Sequence, residues 1–386
     1  MSCIHQATKV SRYKDIILDF SSLKSIGYNV MPPFASYVRS LLRSDNVDFE
    51  YIEPKSFTAR SRIENCGLAH FISHRKYPKV QLNSSDPILQ QFKSTDEASA
   101  ANDRILNAVL RTAKISRKNL SALEWALDEI TDNVLNHSQS KVGGFIIHSK
   151  LPYYNIIEFV VADSGIGIGR SLGVQDEVEA VEKAIQEGVT RNNVSNQGNG
   201  LYGTYRIALE SNALFSLKSY HGNLYVNSEG ETHARRDHIT YPGTHILCQI
   251  DCDRPDLIER AFVFRGKQHV PGFDYVERKL ETKEEDIKIP ARSICKTFGS
   301  RKSGLEARNY ILNMVSALSG NKVVIDFEDV YVISSSFADE AFGKLFIILG
   351  PMLFMNTIEL ANADSAVEAL INRAIMLRMQ TGLGES

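Results

Sequence analysis

One segment restricts this chain more than any other. An apolar run, Ile156 to Val161, passes into Asp163-Ser164-Gly165-Ile166-Gly167-Ile168-Gly169. The run predicts a buried strand. Three glycines within residues 165–169 exceed what a tight turn requires. Glycine carries no Cβ, so an acid at a strand end followed by alternating glycines lets backbone approach a flat ligand while the carboxylate takes a donor. No GxxxxGK[ST] run occurs, which excludes a P-loop. A dinucleotide fingerprint does not fit either, because the acid precedes the glycines and no helix is expected directly after them.

The neighbouring segments extend this pattern. A helix is expected over Asn119 to Ser138, with Leu123, Ala126, Leu127, Ile130 and Val134 on its apolar face. Glu129, Asn133 and His137 recur every fourth residue, so they stack on one stripe, each about 6 Å further along the axis. A carboxylate, a carboxamide and an imidazole in a row suit metal and phosphate chemistry, although a polar face turned to water explains the stripe equally when it is taken alone. Downstream, Gly198-Asn199-Gly200-Leu201-Tyr202-Gly203 opens a helical pattern through Tyr205, Ile207, Ala208 and Leu209. Such a helix start is an anion site, since free N–H groups and the helix dipole face the same way. Between the clusters, Val178, Val181, Ile185 and Val189 mark a short amphipathic helix suited to closing over a ligand. Pro242-Gly243-Thr244 begins a strand that continues through Ile246, Leu247 and Ile250.

Taken in order, Glu129-xxx-Asn133, Asp163-x-Gly165-x-Gly167, Gly198-x-Gly200-Leu201-x-Gly203 and Gly243-Thr244 resemble the GHKL ATPase superfamily over about 150 residues. That group includes gyrase, heat-shock chaperones of the ninety-kilodalton class, sensor histidine kinases and mismatch-repair ATPases. The resemblance implies ATP and magnesium as cofactors. It assigns Asn133 to the magnesium ion and Asp163 to the adenine amino group, with Thr244 supporting the adenine contact. It gives Gly165, Gly167, Gly198, Gly200 and Gly203 the shaping of the adenine pocket and phosphate loop. Glu129 falls where the hydrolytic branches place a carboxylate to activate water, a role typically worth about 10²–10⁴-fold in rate. The spacing Glu-xxx-Asn-xxx-His-Ser, ending at His137 and Ser138, is similar to that of the anti-sigma-factor serine kinases. His137 itself is expected to be structural. A sensor histidine kinase is disfavoured, because His70 and His74 are not followed by an acid on a long helix pair.

Two flanking regions share a fainter pattern. Ile17-Leu18-Asp19-Phe20, then Leu23 and Ile26, lines up with Val324-Ile325-Asp326-Phe327, then Val330 and Ile333. Any two strand–loop–helix segments look alike to this degree. The second is followed by Ser334-Ser335-Ser336-Phe337-Ala338-Asp339. A helix N-cap explains one serine but not three. This segment looks like a STAS domain, the fold of anti-sigma-factor antagonists, in which a serine at the helix start is phosphorylated by a GHKL partner kinase. The usual Asp-Ser-Ser-Gly departs at both ends here, which leaves Ser335 and Ser336 as candidate phosphoacceptors. The first region is similar more weakly, and Gly27-Tyr28-Asn29 offers no hydroxyl at the matching loop.

The expected fold is therefore α+β. A central GHKL α/β sandwich, with a mixed sheet covered by helices on one face, is flanked by two STAS-like α/β domains. The boundaries are 1–94, 95–251, a charged connector at 252–288, and 289–386. A length of 386 residues suits two or three domains. A charge of −2 argues against a dedicated nucleic-acid binder. The longest apolar run, Leu345 to Met355, is broken by Gly350 and Pro351 and is well short of the roughly 20 residues a bilayer span needs, so it is expected in a core. Residues Met1 to Lys14 hold no apolar run of signal-peptide length, which predicts a cytoplasmic protein with no membrane association. Five scattered cysteines with no CxxC pair predict reduced thiols and no structural zinc.

The functional expectation is a Mg-ATP-dependent ATPase acting as a regulatory switch in bacterial-type signalling or stress response, read by a protein partner. A serine kinase acting on a STAS-like domain, in cis or in trans, is the alternative, and a nucleotide-binding scaffold without turnover is the third. Many relatives dimerise, so a homodimer is open, and the sequence marks no self-complementary face.

Overall fold

The computed structural model describes residues 2–81, 87–189, 200–227, 229–270, 274–280, 286–317 and 322–382. It mixes helices and strands in several sheets and divides into two compact units. The first comprises Met1–Ile105 and Ala122–Val270, and the second Leu106–Ser121 and Pro271–Ser386.

The first unit opens with α1 (Ser2–His5), β1 (Asp15–Asp19), α2 (Met31–Ser44), β2 (Asp48–Ile52), α3 (Phe57–Asn65) and α4 (Leu68–Ile72). β1 and β2 pair in parallel. Proline in the first turn of α2 presets the helical φ, and Met31, Ala35, Val38 and Leu41 recur at helical spacing and are buried. There follow β3 (Gln90–Phe92), α5 (Thr95–Thr112), α6 (Arg117–His137), β4 (Gly144–Lys150), β5 (Ile156–Asp163), α7 (Gly167–Leu172), α8 (Glu177–Ala184), α9 (Gly200–Glu210), β6 (Phe215–Val226) and β7 (Thr232–Asp251). The short elements α10 (Leu257–Ala261), β8 (Val263–Phe264) and β9 (Lys267–Gln268) complete it.

The strands β3-β4-β5-β7-β6 form one sheet whose pairings are all antiparallel, in place of the mixed sheet expected. Its two faces are both covered. Phe145, Ile147 and Val160 join a cluster with Leu18, Val38 and Leu41, while Ile146 and Val161, of opposite parity, are buried just as fully. Residues 1–94 thus share a core with this sheet, where a separate domain had been expected. The described parts of the supposed connector are structured too. Phe262 lies edge-on to Trp125 with ring centroids 4.8 Å apart, and the stretch ends in a buried strand of the second unit.

That unit holds α11 (Tyr275–Lys279), β10 (Ile287–Pro290), α12 (Ala291–Ile294), α13 (Arg301–Ala317), β11 (Val323–Asp326), α14 (Ser335–Ala338), α15 (Lys344–Leu349), α16 (Pro351–Thr357), β12 (Ile358–Ala361) and α17 (Ser365–Gly382). β10, β11 and β12 form a parallel sheet in that order, with Ile287, Ile289, Val323 and Ile325 buried. Asn313 on α13 explains why Leu106–Ser121 belongs here. Its amide donates to the carbonyls of Leu110 and Ala113 at 2.9 and 2.8 Å and accepts from Ile115 N–H at 3.0 Å. A buried amide bonded this fully fixes the turn between α5 and α6.

The apolar run at Leu345–Met355 is only half in the core. Leu345, Phe346 and Phe354 are buried, whereas Ile347, Ile348, Met352, Leu353 and Met355 face outward. Gly350, at φ +74°, ends α15, and Pro351 starts α16. No described helix is long and apolar enough to cross a membrane. All five cysteines are free thiols; Cys3 is exposed and the other four are buried.

Candidate functional site

Helix α6 organises the candidate residues. Its inward face is apolar, with Leu123, Ala126, Leu127 and Ile130 fully buried, and the adjoining stripe carries Glu129, Asn133 and His137, each partly buried. From Glu129 to His137 the stripe covers about 12 Å. The glycine elements meet the two ends of this stripe.

At the Glu129 end lies α9. A Cβ on Gly200 would fall 1.6 Å from Glu129 Oε1, and one on Gly203 would fall 2.3 Å from the Trp125 indole. Gly200 and Gly203 are one turn apart on α9, as Trp125 and Glu129 are on α6, so these glycines let two helices approach closely. Burial pushes the Glu129 carboxyl up to about 7, and the neighbouring Asp132 adds to this, while an Asn133 side-chain hydrogen bond pulls it back.

At the other end, just past His137, the Ser138 carbonyl accepts from Ile166 N–H at 2.8 Å. A Cβ on Gly165 would sit 1.9 Å from that same oxygen, so only glycine fits. Asp163 ends β5 opposite Thr244 of β7. Its side chain is 2% exposed and accepts from Gly165 N–H at 2.7 Å. Burial pushes this carboxyl up to about 7, opposed by the backbone N–H groups of Gly165 and Thr244. Gly243, at φ +121°, lets β7 pass against the Asp163 carbonyl, since a Cβ there would be 2.1 Å from that oxygen. Gly167, at φ +75°, backs onto Ser219 and Tyr220 of β6. It also begins α7, a helix directly after the acid that the sequence reading did not expect. A cleft of about 450 Å³ opens beside this turn, lined among others by Ile166, Arg170, Gln175, Ser219 and Tyr220; neither Asp163 nor Glu129 lines it.

The structure therefore brings Glu129, Asn133, Gly200 and Gly203 together at one end of the stripe and Asp163, Gly165, Gly167 and Thr244 at the other. Gly198 lies outside the described residues. Each glycine at 165, 167, 200 and 203 has a packing reason of its own, because protein atoms occupy the place of its missing side chain.

Several supporting residues had no sequence signal. Ser36 of α2, fully buried, shares a 2.9 Å hydrogen bond with Ser164. Tyr241 is buried and its hydroxyl donates to the Asp163 carbonyl at 2.7 Å. Ser219 accepts from Ile168 N–H at 2.9 Å and donates to the Gly243 carbonyl at 3.0 Å. Together they hold the Asp163 turn from behind and from the side.

In the second unit, Ser334 caps α14 by accepting from Phe337 N–H at 3.0 Å and also shares a 2.9 Å hydrogen bond with Ser336. Ser335 is exposed.

Residues 308–368 match the model of a STAS-like domain of unknown function (DUF4325). The match runs from within α13 through β11, the serine loop and β12 into the start of α17, and does not reach α6 or the Asp163 turn. No curated protein matches the chain.

Proposed function

We propose that the first unit is a GHKL-type site that binds Mg-ATP along α6 and hydrolyses it, and that the nucleotide state is read by a protein partner in bacterial-type signalling or stress response. The observation that carries this reading is that separate sequence elements meet along one helix and just past its end: Gly200 lies against Glu129, Gly165 against Ser138, and Thr244 against Asp163 of the same turn as Gly165.

Asp163 suits the adenine amino group. A carboxylate offers about four acceptor sites, and two backbone N–H groups leave capacity for an amine donor. Such a donor favours the ionised form of a buried acid. The magnesium site fits as a partial one. Asn133 presents a hard oxygen donor one turn beyond Glu129, and among the described residues no group of three or more His, Cys, Asp or Glu side chains could hold a metal alone. Magnesium characteristically takes one or two protein oxygens and completes its shell with phosphate and water, and when bound it neutralises phosphate charge. Glu129, poised near neutrality, has the basicity expected of a general base for water at physiological pH. Burial by α9 keeps its carboxyl out of bulk water, which is the source of that basicity.

Calorimetric titration with Mg-ATP tests the binding site. Wild type should bind, and Asp163→Asn should weaken binding at least about tenfold, the cost of one lost charge-assisted hydrogen bond. Unchanged affinity in the variant would remove the assignment.

A serine kinase acting on a STAS-like domain is the second reading, favoured by the exposure of Ser335 beside a capped and hydrogen-bonded pair, Ser334 and Ser336. Mass spectrometry after incubation with Mg-ATP should then place phosphate on Ser335. Unmodified serines after full turnover would leave hydrolysis alone.

A further inference from the structure

The outward half of the Leu345–Met355 run has no role in the site described above. Ile347 and Ile348 on α15 are 51% and 56% exposed, and Met352, Leu353 and Met355 on α16 are 79%, 45% and 72% exposed. Met376, on the adjoining α17, is 59% exposed. α15 packs against both α16 and α17, so these side chains lie on neighbouring helices. Single exposed apolar residues need no explanation, but a group of this size does.

We infer that this face of the second unit docks a second molecule of the same chain, in an isologous two-fold contact. Two observations point to that occupant. The first is charge. Residues 345–357, Leu-Phe-Ile-Ile-Leu-Gly-Pro-Met-Leu-Phe-Met-Asn-Thr, contain no ionisable side chain. In a two-fold contact every residue near the axis meets its own counterpart, so a charge there would face its like. An uncharged run avoids that repulsion. The second is area. Six aliphatic and thioether side chains, each about half exposed or more, present an area comparable with the ~800 Å² per partner buried in a standard interface. Methionine supplies three of the six, and its flexible thioether repacks readily against a copy of itself.

The inference does not depend on nucleotide binding. Its test is the mass of the full chain by light scattering and sedimentation equilibrium, with and without Met352→Glu plus Met355→Glu. Both side chains are mostly solvent-exposed, so circular dichroism should be unchanged, and any loss in melting temperature should be confined to concentrations at which the wild type is dimeric. Wild type is expected at twice the chain mass and the variant at half that value. Met376→Lys on α17 gives an independent disruption should the double variant fold poorly. Wild type at single-chain mass across the concentration range would overturn the inference. So would a dimer that survives both variants, or a monomer that co-sediments with anionic phospholipid vesicles through these residues.

Discussion

The β1–α2 segment of the first unit and the β11–α14 segment of the second obey the same local rules. Each strand ends in an aspartate that accepts from the backbone two residues on: Asp19 from Ser21 at 2.8 Å, and Asp326 from Glu328 at 3.0 Å. Each following phenylalanine donates to the last residue of the neighbouring parallel strand, Phe20 to Ile52 at 3.0 Å and Phe327 to Ala361 at 2.9 Å. Three residues later Leu23 N–H closes on Phe20, and Val330 N–H on Phe327, both at 2.9 Å. The faint sequence repeat is thus a repeated hydrogen-bond pattern. What differs is the surroundings. In the first segment the helix is buried against a five-stranded sheet, and its Ser36 reaches the turn that carries Asp163. In the second the helix start shows Ser335 to solvent, and the helices after it turn apolar side chains outward. Local sequence sets the strand, turn and helix. What packs on the helix decides whether the segment becomes a wall of a site or a free surface.

The sharpest difference expected between the two is one of sign. In the first unit burial raises Asp163 and Glu129 to about 7. Their folded forms hold protons that the unfolded chain, near a pKa of about 4, has lost. Stability of that unit should therefore grow as pH falls from about 7 towards about 4, and Asp163→Asn should flatten part of the slope. In the second unit, the Asn362 side chain and then Lys288 hold Asp326 below the usual carboxylate range, and Arg378 does the same for Asp339. Those carboxylates favour the fold above about pH 4, and their stabilisation is lost as pH falls further. Hydrogen exchange followed separately should show protection of β5 rising from about pH 7 to about 4 while β11 stays level, and protection of β11 falling below about pH 4; the same profile in both strands would erase the distinction.

Side-chain truncation should separate the two helix environments next. Leu41→Ala in α2 removes a fully buried side chain and should cost about 2–5 kcal/mol. Met352→Ala, largely exposed, should change the melting of the chain by less than about 0.5 kcal/mol in dilute solution. Denaturant titration decides, and equal costs would mean that the outer face of the second segment is covered within the chain.

A smaller effect, about 0.5–1.5 kcal/mol, is expected for Ser36→Ala, which removes the hydrogen bond from fully buried Ser36 to the half-buried Ser164 hydroxyl. The same change at exposed Ser335 should be neutral. If Ser36→Ala also weakens Mg-ATP binding while Ser335→Ala does not, the first segment positions the Asp163 turn. Ser334→Ala, which removes the cap of α14, should cost about 1 kcal/mol. α2 has no side-chain cap to lose.

Much of this was legible in the sequence because it rests on short-range periodicity. The stripe Glu129-Asn133-His137 needs only a helix, and the end of β5 at Asp163 needs only an apolar run followed by glycine. The cap at Ser334 is likewise local. Other parts were hidden for physical reasons. The Ser36–Ser164 bond joins residues 128 apart in sequence, and no local pattern encodes it. β7 begins at Thr232, ten residues before the expected start, and its first half is polar and largely exposed, so no apolar alternation announced it. The Leu345–Met355 run reads as core from hydropathy alone, yet a two-helix corner at Gly350 puts half of it outside. The glycines at 200 and 203 stood out as ligand-approach positions, whereas in the structure their missing side chains are replaced by Glu129 and Trp125.

The central claim is that Glu129, held by α9 at one end of the stripe, drives ATP turnover at a site whose other end is Asp163. Its most direct test is release of labelled phosphate from ATP labelled at the γ position, with magnesium, measured for wild type and Glu129→Gln alongside nucleotide binding for both. The account predicts release by wild type, a loss of about 10²–10⁴-fold in Glu129→Gln, and binding retained in both. Turnover that continues undiminished in Glu129→Gln, or a wild type that neither binds nor hydrolyses ATP, would contradict it.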